Sequence, residues 1–224
     1  MMRIVIQTSP NTVLVPFDYL PLMVGTIHKW LGKKNNQHGR LSLYSFSWLM
    51  DGEIVQGQGR TFPNGARFFV SFYNNTIAER FINRIDESPK LFCGMAVTKV
   101  NLGKIPMVKM EEPDVFTTAS PIHIRRNVHG NVKFFTFEDG EITGKLMKRT
   151  LLHKMRKARL LEDPTLKISF VDDGKLKKRL VHYRGIANTC TIGKVLIEGK
   201  TATKRFAWAV GLGNSTGIGF GALF

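Results

Sequence analysis

Acidic residues are scarce in this chain of 224: seventeen Asp and Glu stand against thirty-three Lys and Arg, a formal net charge of +16. A surface so unbalanced gathers polyanions and releases their counterions. Cysteine is scarcer still. Cys93 and Cys190 stand far apart in apolar surroundings, so no disulfide and no metal-ligand pair is expected, and each reads as a small core residue. There is no long apolar run, no basic amphipathic terminal helix and no lipidation signal, which argues against a membrane partner. The opening residues 1–10 lack the apolar core and cleavage site of a signal peptide, so a cytoplasmic protein is expected. Nucleic acid is then the leading partner.

With 43% hydrophobic residues, the chain has the material for one sizeable core or two compact ones. The pattern favours two. A strand is predicted at 2–8 and a helix at 18–31, with Leu20, Met23, Ile27, Trp30 and Leu31 on one face. Strands at 41–49 and 66–73, a helix at 75–86 and a strand at 91–100 complete a β-α-β-β-α-β order, the ferredoxin-like unit. Beyond a polar stretch at 109–114, strands are predicted at 115–124 and 132–137, followed by a basic, mostly helical insertion at 138–161. Asp173-Gly174 suits a hairpin turn between strands near 166–171 and 179–187. A strand at 194–198, a helix at 201–210 and a terminal strand at 218–224 follow, so the second half reads as a decorated copy of the first. The expectation is an α+β protein of two tandem ferredoxin-like domains, 1–108 and 109–224.

The C-terminus carries glycine at 211, 213, 217, 219 and 221. Glycine lets successive amides turn inward and lets a phosphate approach without meeting a Cβ, so such a loop is suited to holding anions. A dinucleotide-binding fingerprint needs a helix and an acidic residue downstream, and here the chain stops. Gly193 and Gly199-Lys200-Thr201 miss the phosphate-binding P-loop by one residue in spacing.

Val210-Gly211-Leu212-Gly213 with Gly217-Ile218-Gly219-Phe220-Gly221 resembles the signature glycine-rich loop of the CRISPR-associated endoribonucleases of the Cas-six family, in the RAMP superfamily. Ser120-Pro121-Ile122 followed by Arg125, the run Gly193-Lys194-Val195-Leu196-Ile197-Glu198-Gly199, residues 19–32 and Leu43-Tyr44-Ser45-Phe46-Ser47 match the family in order, nearly end to end. The resemblance implies metal-independent cleavage of CRISPR repeat RNA, with no cofactor. Its further partners would be other CRISPR effector subunits, and the protein would be a monomer or homodimer. The alternatives are a non-catalytic RNA-binding subunit of an effector complex and, from another class, a metal-dependent nuclease.

Cutting RNA without a metal requires a base for the attacking 2′-OH and an acid for the departing 5′-oxygen; histidine serves either role near neutral pH. His38 lies in a polar basic segment, Lys33-Lys34-Asn35-Asn36-Gln37-His38-Gly39-Arg40, where no core demands an imidazole, and the family commonly carries its catalytic histidine in this helix-to-strand loop. His28 is the expected partner, unless it only caps the helix end. Some family members have a lysine where this chain has Ser42, which leaves Arg40 or Lys34 to stabilise the scissile phosphate. Tyr19 reads as a core edge. His123, His129, His153 and His182 show no zinc spacing and are expected to be structural or RNA-contacting, and Glu111-Glu112 and Asp172-Asp173 form no two-metal cluster. For RNA contact, the candidates are Lys34, Arg125, Arg126, Lys148, Arg149 and Arg156, without compensating acids, together with Gly211, Gly213, Asn214, Ser215, Thr216, Gly217 and Gly219.

Overall fold

The computed structural model describes residues 1–32, 41–106 and 112–224. Strand β1 (Met2–Thr8) buries Ile4 and Ile6 completely and lies at the centre of a four-stranded antiparallel sheet. It pairs with β5 (Arg67–Phe72) on one side and β6 (Val97–Gly103) on the other, and β2 (Tyr44–Phe46) adds beyond β5. Helix α1 (Leu20–Leu31) buries the stripe Leu20, Met23, Val24, Ile27 and Trp30. Helix α2 (Asn75–Glu87) starts where Asn74 Oδ1 accepts the Ile77 amide, and it buries Ala78, Phe81 and Ile85. The sheet order β2-β5-β1-β6 is that of a ferredoxin-like unit, with a small hairpin of β3 (Glu53–Val55) and β4 (Gly59–Thr61) inserted before β5. The last strand starts later than the sequence predicts, because Cys93 and Gly94 both take positive φ (53° and 77°) and turn the chain before it can extend.

The second half repeats the plan with substitutions. The strand expected at 115–124 is broken at Ser120-Pro121 into β7 (Asp114–Thr117) and β8 (Ile122–His123), which belong to different sheets. A projecting hairpin follows, β9 (Arg125–Val128) with β10 (Asn131–Phe134). Helix α3 (Glu141–Lys157) is no insertion: it occupies the place of the first ferredoxin-like helix and packs on β11 (Lys167–Phe170). The sheet runs β11-β14-β7, where β14 is Lys194–Glu198. Asp173-Gly174 makes no hairpin, since the strands around it lie in different sheets. The tight turn is Arg184-Gly185 (φ 49° and 77°), which joins β12 (Lys177–Tyr183) to β13 (Ile186–Ile192). Helix α4 (Thr201–Val210) is buried along most of its length. The terminal strand expected at 218–224 is reduced to a single bridge, Thr118 to Leu223, because Gly219 and Gly221 sit at φ 93° and 68°.

The two halves share their interior. Phe220 joins the first half's core, and Arg3 is sandwiched between the rings of Phe69 (3.7 Å) and Trp208 (3.8 Å) while its Nη2 donates to Leu223 O (2.6 Å). Burial lowers the Arg3 pKa to about 9. The domain boundary expected at 108/109 lies outside the described residues.

Candidate nucleic-acid interface

The glycine-rich tail is a seam before it is a surface. The amides of Gly211, Leu212, Asn214 and Gly221 donate to Ala207 O, Gly221 O, His123 O and Pro121 O, at 2.7 to 2.8 Å. A Cβ at Gly211 would lie 2.6 Å from Gly221 O, one at Gly213 2.5 Å from His123 O, and one at Gly219 2.5 Å from Leu20 Cδ1. These three glycines are buried, and their lack of a side chain leaves room for close contacts: Gly211 and Gly213 with carbonyls of the second half, Gly219 with the side chains of Leu20 and Phe46 in the first. What reaches the surface is the turn itself, where Asn214 and Ser215 are half-buried and Ser215 takes the left-handed conformation (φ 62°). The amides of Ser215, Thr216 and Gly217 find no acceptor among the described residues.

Beside this turn, α3 presents Arg149, His153 and Arg156, which share a face because they are spaced by four and three residues. With Leu41, Arg126, Thr150 and Asn214 they line a pocket of about 400 Å³. Arg126 is held rigidly: Nη1 donates to Asn214 Oδ1 (3.2 Å) and Arg125 O (2.8 Å), and Nη2 to Thr150 Oγ1 (3.1 Å). Asn214 Oδ1 also accepts the Arg125 amide (3.0 Å), so one side chain fixes both the tail and the hairpin. Burial, and then the charge of Arg149, lower the Arg126 pKa. Two guanidiniums forced together in a concave site make a place for an anion.

Not every expected contact converges here. Lys148 points away, toward a separate groove beside β11, and its Nζ lies 3.5 Å from Pro164 O. Arg156 has a compensating acid after all, since its Nε meets Glu162 Oε1 at 2.7 Å. His38, Arg40 and Lys34 lie outside the described residues. Leu41, which follows Arg40 directly, lines the basic pocket, and its carbonyl accepts from Lys157 Nζ (2.8 Å).

His28 reaches the other side of the turn. Its Nε2 lies 3.3 Å from the Tyr44 hydroxyl, which donates to Gly217 O at 3.0 Å. With that hydroxyl proton committed to Gly217, the contact is satisfied when His28 Nε2 carries a proton and donates to the tyrosine oxygen. Burial holds the Tyr44 pKa well above the usual phenol range. Tyr19 is a core residue as expected, with its hydroxyl accepting the Leu49 amide (3.0 Å). His123 is buried between Phe134 and Phe220, whereas His153 belongs to the pocket. Sequence reasoning left His153 among the histidines without a set place, although its spacing from Arg149 and Arg156 carried the signal. Next along α3 is Lys154. That side chain is buried.

A family profile described as "CRISPR associated protein Cas6, C-terminal" matches residues 105–223. No curated protein matches the sequence. Among solved structures, the chain is similar over its full length to one described as a Cas6-related gene product from Pyrococcus furiosus (20% identity, 97% of that chain covered, TM-score 0.84). It is similar also to a RAMP protein binding different RNA substrates (18% identity, 98% covered, TM-score 0.84) and to a Cas6 product complex (14% identity, 100% covered, TM-score 0.72). At these identities the structures establish a common fold, that of two tandem ferredoxin-like units. The profile spans more than half of the sequence, and the chain belongs to the Cas6 family of CRISPR-associated proteins.

Proposed function

We propose that this chain cuts CRISPR precursor RNA within its repeats, by metal-independent attack of a 2′-OH on the adjacent phosphorus, leaving a 5′-hydroxyl and a 2′,3′-cyclic or 3′-phosphate end. The coarser part, a role in CRISPR RNA processing, goes with the family. The observation that carries the rest is the junction at Leu41 and Asn214: a pocket walled by Arg126, Arg149 and Arg156 adjoins the glycine-rich turn, and Leu41, the residue after Arg40 in sequence, lines it.

In this reading the RNA backbone runs over Asn214, Ser215 and the amides of Ser215, Thr216 and Gly217, which find no acceptor among the described residues, with the guanidiniums of Arg126 and Arg149 on its phosphates. Arg125, Arg156 and Lys34 extend that track, and Lys148 stands outside it. His38 and His28 divide the acid and base work, and Arg40 stabilises charge on the non-bridging oxygens. The contact of His28 with Tyr44 supports a fixed imidazole near Gly217.

The test is cleavage of a repeat RNA in excess EDTA, with and without a single 2′-deoxy substitution at the cut site. The proposal expects cutting of the all-ribose RNA alone, and His38→Ala that binds but does not cut. Binding without cutting by the wild-type protein would assign it to the non-catalytic subunits, and loss of cutting in EDTA would assign it to metal-dependent nucleases.

A further inference from the structure

Lys154 sits on the inner face of α3 with Met147, Leu151 and Met155, and it is 1% exposed. Its Nζ lies 2.9 Å from Val210 O, 3.0 Å from Gly211 O and 3.1 Å from Thr216 Oγ1. Burial lowers the Lys154 pKa to about 7, and in the protonated form its three N–H donors match these three acceptors. No carboxylate is among these partners; the countercharge is the carbonyl end of α4. For filling a core, a methionine like its neighbours would serve without the desolvation penalty of a buried ammonium. What a methionine cannot do is join Val210 and Gly211 at one end of the turn to Thr216 at the other.

We infer that Lys154 is a positioning residue that clips together the two ends of the turn 211–216 and so holds Asn214, Ser215 and the adjacent amides in the geometry that receives RNA. This rests on the reading of that turn as an RNA contact. The same helix carries Arg149 and His153 on its outer face, so α3 fixes the cationic wall of the pocket and the amide wall together. Lys154 itself touches no RNA, because its side chain is sealed beneath the turn.

Two variants test the clip, Lys154→Met and Thr216→Val; the second removes one acceptor and keeps both the size and the amide of residue 216. The probe is a repeat RNA with a 2′-deoxy cut site, whose Kd is measured across a salt series. Either variant is expected to weaken binding about tenfold, the loss that goes with a hydrogen bond to a charged group. The slope of log Kd against log salt should not change, since no phosphate-neutralising cation is lost. Arg149→Ala, by contrast, should lower that slope by roughly 0.7–0.9. Without RNA, hydrogen exchange at residues 212–217 of Thr216→Val should accelerate while α4 keeps its protection. Wild-type Kd and exchange in Thr216→Val would overturn the inference, and this variant decides the matter if Lys154→Met does not fold. A slope reduced by roughly 0.7–0.9 in Lys154→Met would also overturn it, by making Lys154 a phosphate ligand. If wild-type protein fails to bind repeat RNA while Thr216→Val still loosens the turn, the clip stands and the functional reading falls.

Discussion

Tyr44→Phe removes one oxygen from the centre of the proposed site and leaves its surroundings almost unchanged. The ring is buried and stacks on Phe72 at 5.8 Å, which phenylalanine preserves. Three contacts disappear: the donor to Gly217 O (3.0 Å), the partner of His28 Nε2 (3.3 Å) and a hydrogen bond with the Ser42 side chain. A buried carbonyl left without its donor costs about 2 kcal/mol, which for a domain of this size lowers Tm by roughly 4–8 °C. The catalytic consequence is separate. If His28 takes part in proton transfer, an unanchored imidazole should slow single-turnover cleavage of repeat RNA at least about tenfold, while Kd stays within about threefold. Melting curves, a binding isotherm and a single-turnover time course with enzyme in excess measure all three quantities. An unchanged cleavage rate alongside the expected fall in Tm would make the His28–Tyr44 contact purely structural and remove His28 from the mechanism. An unchanged Tm would refute the hydrogen bond to Gly217 itself.

Three further outcomes follow from the same geometry. Asn214→Ala should free Arg126 and the Arg125 amide from their shared acceptor and weaken RNA binding about tenfold, and a Kd equal to wild type would contradict the role given to Asn214. Gly221→Ala places a methyl against Leu212 O at φ 68° and should destabilise the protein by about 2–5 kcal/mol in denaturant melts; a loss under about 0.5 kcal/mol would show that the tail yields there. His123 has neither ring nitrogen paired among the described residues, and burial, with a smaller contribution from Arg125, lowers its pKa to about 4. The unfolded chain therefore takes up this proton first, near 6.5, so stability intact above pH 6.5 should decline as pH falls toward 4, by up to about 3 kcal/mol from this group. His123→Phe should flatten that part of the stability curve, and an identical pH dependence in the variant would assign the loss to other groups.

The ferredoxin-like plan was legible because its signals are local. The stripe of Leu20, Met23, Ile27 and Trp30 marks α1, and the glycine-rich run falls within residues 105–223, which match the family profile. The expected turn at Asp173-Gly174 failed because positive φ at Gly174 fixes a bend without fixing which strands the bend joins; pairing partners are set by tertiary packing, and Arg184-Gly185 makes the hairpin. The tail was misread as strand for a related reason, since alternating apolar residues suggest extension while the intervening glycines adopt conformations that forbid it. At the site, Arg149 and Arg156 were visible as charge, but His153, which helical spacing places on their face, was passed over, and Lys154 was indistinguishable from them. Only the direction of its side chain separates a buried clip from a solvated cation. The pairing of Asn214 with Arg126, eighty-eight residues apart, left no local signal at all.

The most direct measurement is the chemistry of the product ends. Purified protein incubated in EDTA with a CRISPR repeat RNA should release fragments bearing a 5′-hydroxyl and a 2′,3′-cyclic or 3′-phosphate, resolved by mass spectrometry, and a 2′-deoxy substitution at the cut site should abolish them. Fragments bearing a 5′-phosphate and a 3′-hydroxyl, or cutting that survives the 2′-deoxy substitution, would contradict attack by the 2′-OH.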